Sequence, residues 1–160
     1  IVYYLNQSER DIESAILITP SDMAGFEVED PETGEDLVEK ARKVKQRGEG
    51  NQIITQNMWG WAYLSADTVL NFFDEGSSLE IFNFSRPELG FDQLEDVEIP
   101  ILAFFGTDDD GIVTPPEECA SILETEIGSE KVITEVVEGA EHSYEGYEDV
   151  LVNEIIEFLS

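Results

Sequence analysis

The sequence predicts an α/β protein, a parallel sheet with crossover helices. Three short apolar runs carry that prediction: AILIT at 15–19, PILAFF at 100–105 and KVITEVV at 131–137. Continuous runs of this length with polar flanks suit strands buried on both faces, as parallel strands are. The last two runs are each followed by a segment with helical spacing, and strand–helix alternation of this kind means parallel strands joined by crossovers.

Taken in order, residues 1–8 read as the last turns of a helix, with Val2, Tyr3 and Leu5 apolar. The opening IVYYLNQ already reads as the inside of an element, so something is expected to precede it. The strand at 15–19 stops at Pro20. From Ser21 to Glu98 the parallel-strand rhythm disappears, and the stretch reads as an insertion of helices and loops. Within it DPETGED is a loop by composition. Residues 35–46 are helix-like, with Leu37, Ala41 and Val44 at helical spacing, and the glycines of RGEGN end them. QIITQNMWGWAY is ambiguous between strand and extended loop. Ser65 is an expected N-cap for the helix ADTVLNFFDE. IFNFSRPELGFDQL reads as loop with a short helical turn.

The core rhythm returns at Ile99. The strand PILAFF runs into the tight loop GTDDDG. Thr114-Pro-Pro-Glu117 reads as a helix start, with a capping-box pattern and prolines in the first turn. That helix runs to about Ile127 with Cys119, Ile122 and Leu123 inward. After the third strand, residues 138–146 form a loop. Residues 147–159 form a closing helix with Val150, Leu151, Ile155 and Phe158 at helical spacing. The expected organisation is 1–20 for the first helix end and core strand, 21–98 for the insertion, and 99–160 for the remaining core.

Composition narrows the function classes. A chain of 160 residues with 41% apolar residues has enough material for a packed core. Asp and Glu number 37 against 8 Lys and Arg, a net charge of −29. Such a charge repels nucleic-acid phosphates and anionic membranes, so neither is an expected partner. The acids are interspersed with apolar residues rather than blocked, which favours a folded, carboxylate-rich surface over an acidic tail. That surface resembles those of proteins from salt-loving microbes, where salt screens self-repulsion, so added salt is expected to raise stability. Lys40, Arg42, Lys43, Lys45 and Arg47 hold five of the eight cations, on a helix whose cations either face solvent or meet an acidic surface.

Cys119 is the only cysteine, so no internal disulfide forms, and with no signal peptide visible a cytoplasmic location is expected. One Cys and one His make a poor metal site, and no metal is expected. DDDG lacks the alternate spacing of a calcium loop, and neither a phosphate loop nor a dinucleotide fingerprint occurs.

The chemistry concentrates between Ile99 and Tyr147. Functional groups of an open parallel sheet gather at the C-terminal ends of its strands. Asp108, Asp109 and Asp110 follow one strand end, and His142, the only histidine, follows the next strand. A carboxylate beside a histidine sets its tautomer and stabilises the imidazolium, which makes the histidine an effective general base.

These residues resemble the C-terminal part of an α/β-hydrolase. In that family the acid follows a strand in a G-x-x-D turn, here Gly106-Thr107-Asp108-Asp109. The histidine follows the last strand in a G-x-x-H setting, here Gly139-Ala140-Glu141-His142, and a closing helix comes next. The resemblance implies Asp109 as acid and His142 as base, with Asp108 and Asp110 as neighbours on the same loop. AILITPSDM resembles the strand before the family's cap, and residues 24–95 resemble a small helical cap, in which Trp59, Trp61, Tyr63, Phe72 and Phe73 are expected to line an acyl pocket or to pack the cap onto the core. The implied activity is a serine hydrolase acting on an ester or related acyl bond, through an acyl-enzyme and without a cofactor. One departure stands out: the family's G-x-S-x-G nucleophile turn is absent. The resemblance therefore implies a serine upstream of Ile1, and these residues alone are expected to be inactive. The strand at 15–19 would then present an open edge. The expected partners are an acyl-type small molecule and either an N-terminal half or a second copy of the chain. The alternative is a non-catalytic α/β binding domain using Trp59, Trp61 and the basic helix.

Overall fold

The computed structural model describes residues 2–5, 12–77 and 79–160. Residues 6–8 of the expected first helix lie outside the described residues. The chain divides into two compact units, one made of 1–22 and 81–160, the other of 23–80.

The first unit is a three-stranded parallel sheet in the order β1-β4-β5, with β1 at Ala15–Ile18, β4 at Ile101–Gly106 and β5 at Val132–Val137. Ala15 pairs with Ile101 and Ile18 with Phe104, while Ile101 pairs with Val132 and Gly106 with Val137. The central strand β4 is buried along its whole length. Its alternate side chains serve two cores, as a period of two requires. Ile101, Ala103 and Phe105 pack with Cys119, Ala120 and Leu123 of α5 (Pro116–Glu126). Leu102 and Phe104 pack with Tyr144 and with Phe158 of α6 (Glu148–Phe158), against which Leu151 and Ile155 also lean. The unit also holds short helices α1 (Val2–Leu5) and α4 (Asp92–Glu95). Asp22, where the chain leaves this unit, is buried and accepts from Arg86 Nη2 at 2.7 Å and from Ser85 Oγ at 2.6 Å.

Three local expectations are corrected. Strand β1 is not buried on both faces: Ala15 and Leu17 are buried while Ile18 is exposed, because β1 lies at the edge of the three described strands. The capping box at Thr114 does not form. Pro115 is the N-cap of α5 with no side-chain cap, and Thr114 is buried instead. Val150 is exposed, so the buried stripe of α6 is narrower than its apolar spacing suggests.

The second unit packs α2 (Leu37–Gln46) and α3 (Ala66–Phe73) with a hairpin of β2 (Ile53–Met58) and β3 (Ala62–Ser65). The ambiguous aromatic stretch is thus strand, turned at Trp59 and Gly60, both with positive φ. Leu37, Ala41 and Val44 form the buried face of α2 as their spacing predicts. Asp36 caps α2 by accepting from Glu39 N at 2.9 Å, and Ser65 caps α3 by accepting from Thr68 N at 3.2 Å. The cations of α2 meet carboxylates of the same unit: Lys40 with Asp30 at 2.7 Å, Lys45 with Asp67 at 2.9 Å, and Arg42 with both Glu39 and Asp74. The Lys40 ammonium holds the Asp30 carboxyl below the usual range.

Burial raises the pKa of Glu135 on β5, with like charge from Glu154 and Glu157 of α6 adding to the effect. A carboxyl whose folded pKa is raised costs stability once ionised. Stability therefore falls as pH rises through the window between the ordinary and the raised value. Glu135→Gln is expected to raise the melting temperature at about pH 7.5 and leave it unchanged near pH 3.5, where the glutamate is already neutral. A calorimetric comparison at the two pH values checks this, and an equal gain at both would assign the effect to packing.

Candidate active site

The site is built where β4 and β5 end. Gly106 closes β4, and its missing side chain lets the next loop approach: a Cβ there would lie 2.2 Å from the Ala140 carbonyl oxygen. Backbone bonds lace the two loops together. Thr107 N donates to Val137 O at 3.1 Å, Asp108 N to Ala140 O at 3.1 Å, and Gly139 N to Thr107 Oγ1 at 2.7 Å.

This lacing brings residues 33 apart in sequence into contact. His142 Nδ1 lies 2.9 Å from Asp109 Oδ1. The Asp109 side chain is fully buried, whereas that of His142 is 59% exposed. Of the three consecutive aspartates only Asp109 is buried; Asp108 and Asp110 are exposed. Asp109 Oδ1 also accepts from Gly111 N at 2.7 Å. An ionised carboxylate only accepts, so the shared proton sits on Nδ1 and leaves the Nε2 lone pair free, the tautomer a general base needs.

Two supporting residues carry no signal in the sequence. Gly111 lies so close that a Cβ would stand 2.6 Å from His142 Nδ1 and 3.0 Å from Asp109 Oδ1. Ser21, just after β1, donates its hydroxyl to Gly111 O and ties a third strand end to the acid loop. Gly111→Ala is expected to fold, because the imidazole can swing away, but to break the Asp109–His142 contact. The downfield Nδ1 proton signal of the hydrogen-bonded His142 imidazole should then be lost. A proton spectrum identical to that of the parent protein would contradict it.

Trp59, Trp61 and Tyr63 belong to the other unit. They sit at and beside the hairpin turn and are 54%, 74% and 66% exposed. The Trp59 ring lies 6.3 Å from that of Trp61 and 6.2 Å from that of Phe73. Cys119 is buried, and burial pushes its thiol up to about 12, so it remains a thiol at neutral pH. Among the described residues no three His, Cys, Asp or Glu side chains group as a metal site, and no helix is long and apolar enough to cross a membrane.

A parallel sheet with helices packed on both faces is consistent with an α/β-hydrolase fold. A monoacylglycerol lipase from Paleococcus ferrophilus, known from its crystal structure, shares this fold with a TM-score of 0.52 at 17% identity. The similarity covers 98% of this chain and 63% of the lipase chain. No family model matches the sequence, and no curated protein matches it.

Proposed function

We propose that this chain supplies the acid and the base of a serine hydrolase acting on an ester or related acyl bond. Asp109 orients His142 and stabilises its imidazolium, and His142 Nε2 takes the proton of a serine. The serine oxygen attacks the carbonyl carbon, the tetrahedral intermediate collapses, and His142 returns the proton to the leaving alcohol. Water then repeats the cycle on the acyl-enzyme, and no cofactor enters. The observation that carries this reading is the 2.9 Å contact between a buried carboxylate and an exposed imidazole at neighbouring strand ends.

The serine of this proposal lies outside these residues, on a segment preceding Ile1, since no G-x-S-x-G occurs here and the chain spans 63% of the lipase's length. The chain is then the C-terminal part of the enzyme, and residues 21–98, which include the second compact unit, are its cap insertion. Trp59, Trp61 and Tyr63 offer exposed apolar surface suited to an acyl chain. The lone buried thiol fits a cytoplasmic protein.

The test uses the protein with its native upstream sequence, a fluorophosphonate probe, and a monoacylglycerol and a p-nitrophenyl ester as substrates. The expected result is covalent labelling of one serine upstream of Ile1, with labelling and hydrolysis lost in His142→Ala. Absence of labelling on a folded protein overturns the hydrolase reading and leaves the non-catalytic binding domain.

A further inference from the structure

The acid has a second oxygen, and the acid–base contact does not use it. Asp109 Oδ2 is buried without a hydrogen-bond partner, although a buried carboxylate oxygen without a donor is costly. One other buried oxygen on the same pair of loops is in the same position: the hydroxyl of Tyr144. Tyr144 follows His142 by two residues and is 2% exposed. Its ring packs edge-on against Phe104 of β4, centroids 6.5 Å apart, two residues before Gly106. Tyr144 adopts a φ of 52°, the left-handed region that a bulky residue enters only when its surroundings hold it there. A phenol is a donor and an ionised carboxylate only an acceptor, so the two orphaned groups are complementary. Their proximity has an electrostatic mark. In a chain with 37 acids, the carboxylate that acts with burial to push the Tyr144 phenol up is Asp109. The phenol therefore stays protonated and able to donate throughout the neutral range.

We propose that Tyr144 is a positioning residue for the acid: its Oη donates to a buried water that in turn donates to Asp109 Oδ2, and this bridge holds the carboxylate with Oδ1 turned to His142. The proposal rests on the reading of Asp109 and His142 as an acid–base pair. It gives the loop after β5 two roles, carrying the base and, through Tyr144, orienting the acid that serves it. A donor on Oδ2 also draws charge from the carboxylate, so its removal changes the charge that Oδ1 presents to His142.

Tyr144→Phe removes the hydroxyl and little else. The experiment follows the His142 imidazole by NMR titration in the full-length protein, its signal identified by loss in His142→Ala. Tyr144→Phe is expected to raise the His142 midpoint relative to the parent protein, because the carboxylate regains charge. Asp109→Asn is expected to lower it. Ester hydrolysis by Tyr144→Phe is expected to lose about tenfold in kcat with KM unchanged, the scale of one hydrogen bond to a charged group. An unchanged midpoint and rate in Tyr144→Phe, with Asp109→Asn still shifting the midpoint, would overturn the proposal and leave Tyr144 as packing alone. A midpoint shifted by neither variant would remove the acid–base pair itself, and the proposal with it. A shift in Tyr144→Phe without fluorophosphonate labelling would keep the positioning role and discard the hydrolase. Should Tyr144→Phe melt early, a crystal structure of the unmodified protein decides: Oη bonded to any group other than a water on Asp109 overturns the proposal.

Discussion

Asp109→Asn is expected to lower kcat of the full-length protein on esters by roughly 10⁴-fold while leaving the fold intact. The reason lies in the two bonds at Asp109 Oδ1, one from Gly111 N at 2.7 Å and one shared with His142 Nδ1 at 2.9 Å. An asparagine oxygen in the Oδ1 position can still accept from Gly111 N and His142 Nδ1, but it carries no charge. The imidazolium that forms when His142 takes the serine proton then loses the carboxylate that stabilises it, and an amide turned to keep its NH2 toward the imidazole would hold the wrong tautomer and lose the Gly111 bond. Asp108→Asn and Asp110→Asn, at exposed positions, are expected to stay within about twofold, as surface substitutions do. Steady-state kinetics on the three variants reads the difference, with imidazole nitrogen shifts reporting the tautomer directly. A loss below tenfold in Asp109→Asn would remove Asp109 from the triad proposed here.

Gly106→Ala is expected to destabilise the protein by about 3 kcal/mol, the upper range for a forced overpacking of a tight contact. The added Cβ would meet the Ala140 carbonyl oxygen at 2.2 Å and its carbon at 3.0 Å. Both are backbone atoms, so no side-chain rotation relieves the clash. The loops after β4 and β5 must part, and the bond from Asp108 N to Ala140 O is the first to go. Because those loops carry Asp109 and His142, the same substitution is expected to disrupt the acid–base contact. Urea unfolding measures the first effect as a lower midpoint at constant slope. A cost below about 1 kcal/mol would show that the rim of the sheet yields at this point.

The two glycines illustrate what a sequence conceals. Gly106 and Gly111 read as punctuation in GTDDDG. Their importance comes from what would touch a side chain there, a carbonyl oxygen and an imidazole respectively, each about 30 residues away in the chain. Ser21 is more hidden still, bonded to Gly111 across 90 residues. Local caps were mixed. Ser65 caps α3 as its position suggests, because an extended serine before a helix needs only nearby N–H groups. Thr114 failed because the prolines after it carry the chain into the helix with Pro115 at the cap, and the threonine is buried. The aromatic stretch at 52–63 became a hairpin because Trp59 and Gly60 turn it, a decision between two short-range options that composition left level.

What the sequence by itself determined was the kind of element and the kind of chemistry. PILAFF is apolar at every position, and a strand with helices packed on both its faces needs that. The aspartates and the single histidine follow consecutive strands, so they had to fall on one rim of any parallel sheet built from them. The resemblance named Asp109 among the three aspartates, and the tertiary structure supplies the reason: Asp109 alone is buried against the imidazole, with surroundings that the sequence does not reveal. Parallel register aligned Gly106 with Val137. The lacing of the following loops left Asp109 buried, Asp108 and Asp110 in solvent, and Tyr144 buried against Phe104. Burial is a property of neighbours, and in this fold those neighbours arrive from distant parts of the chain.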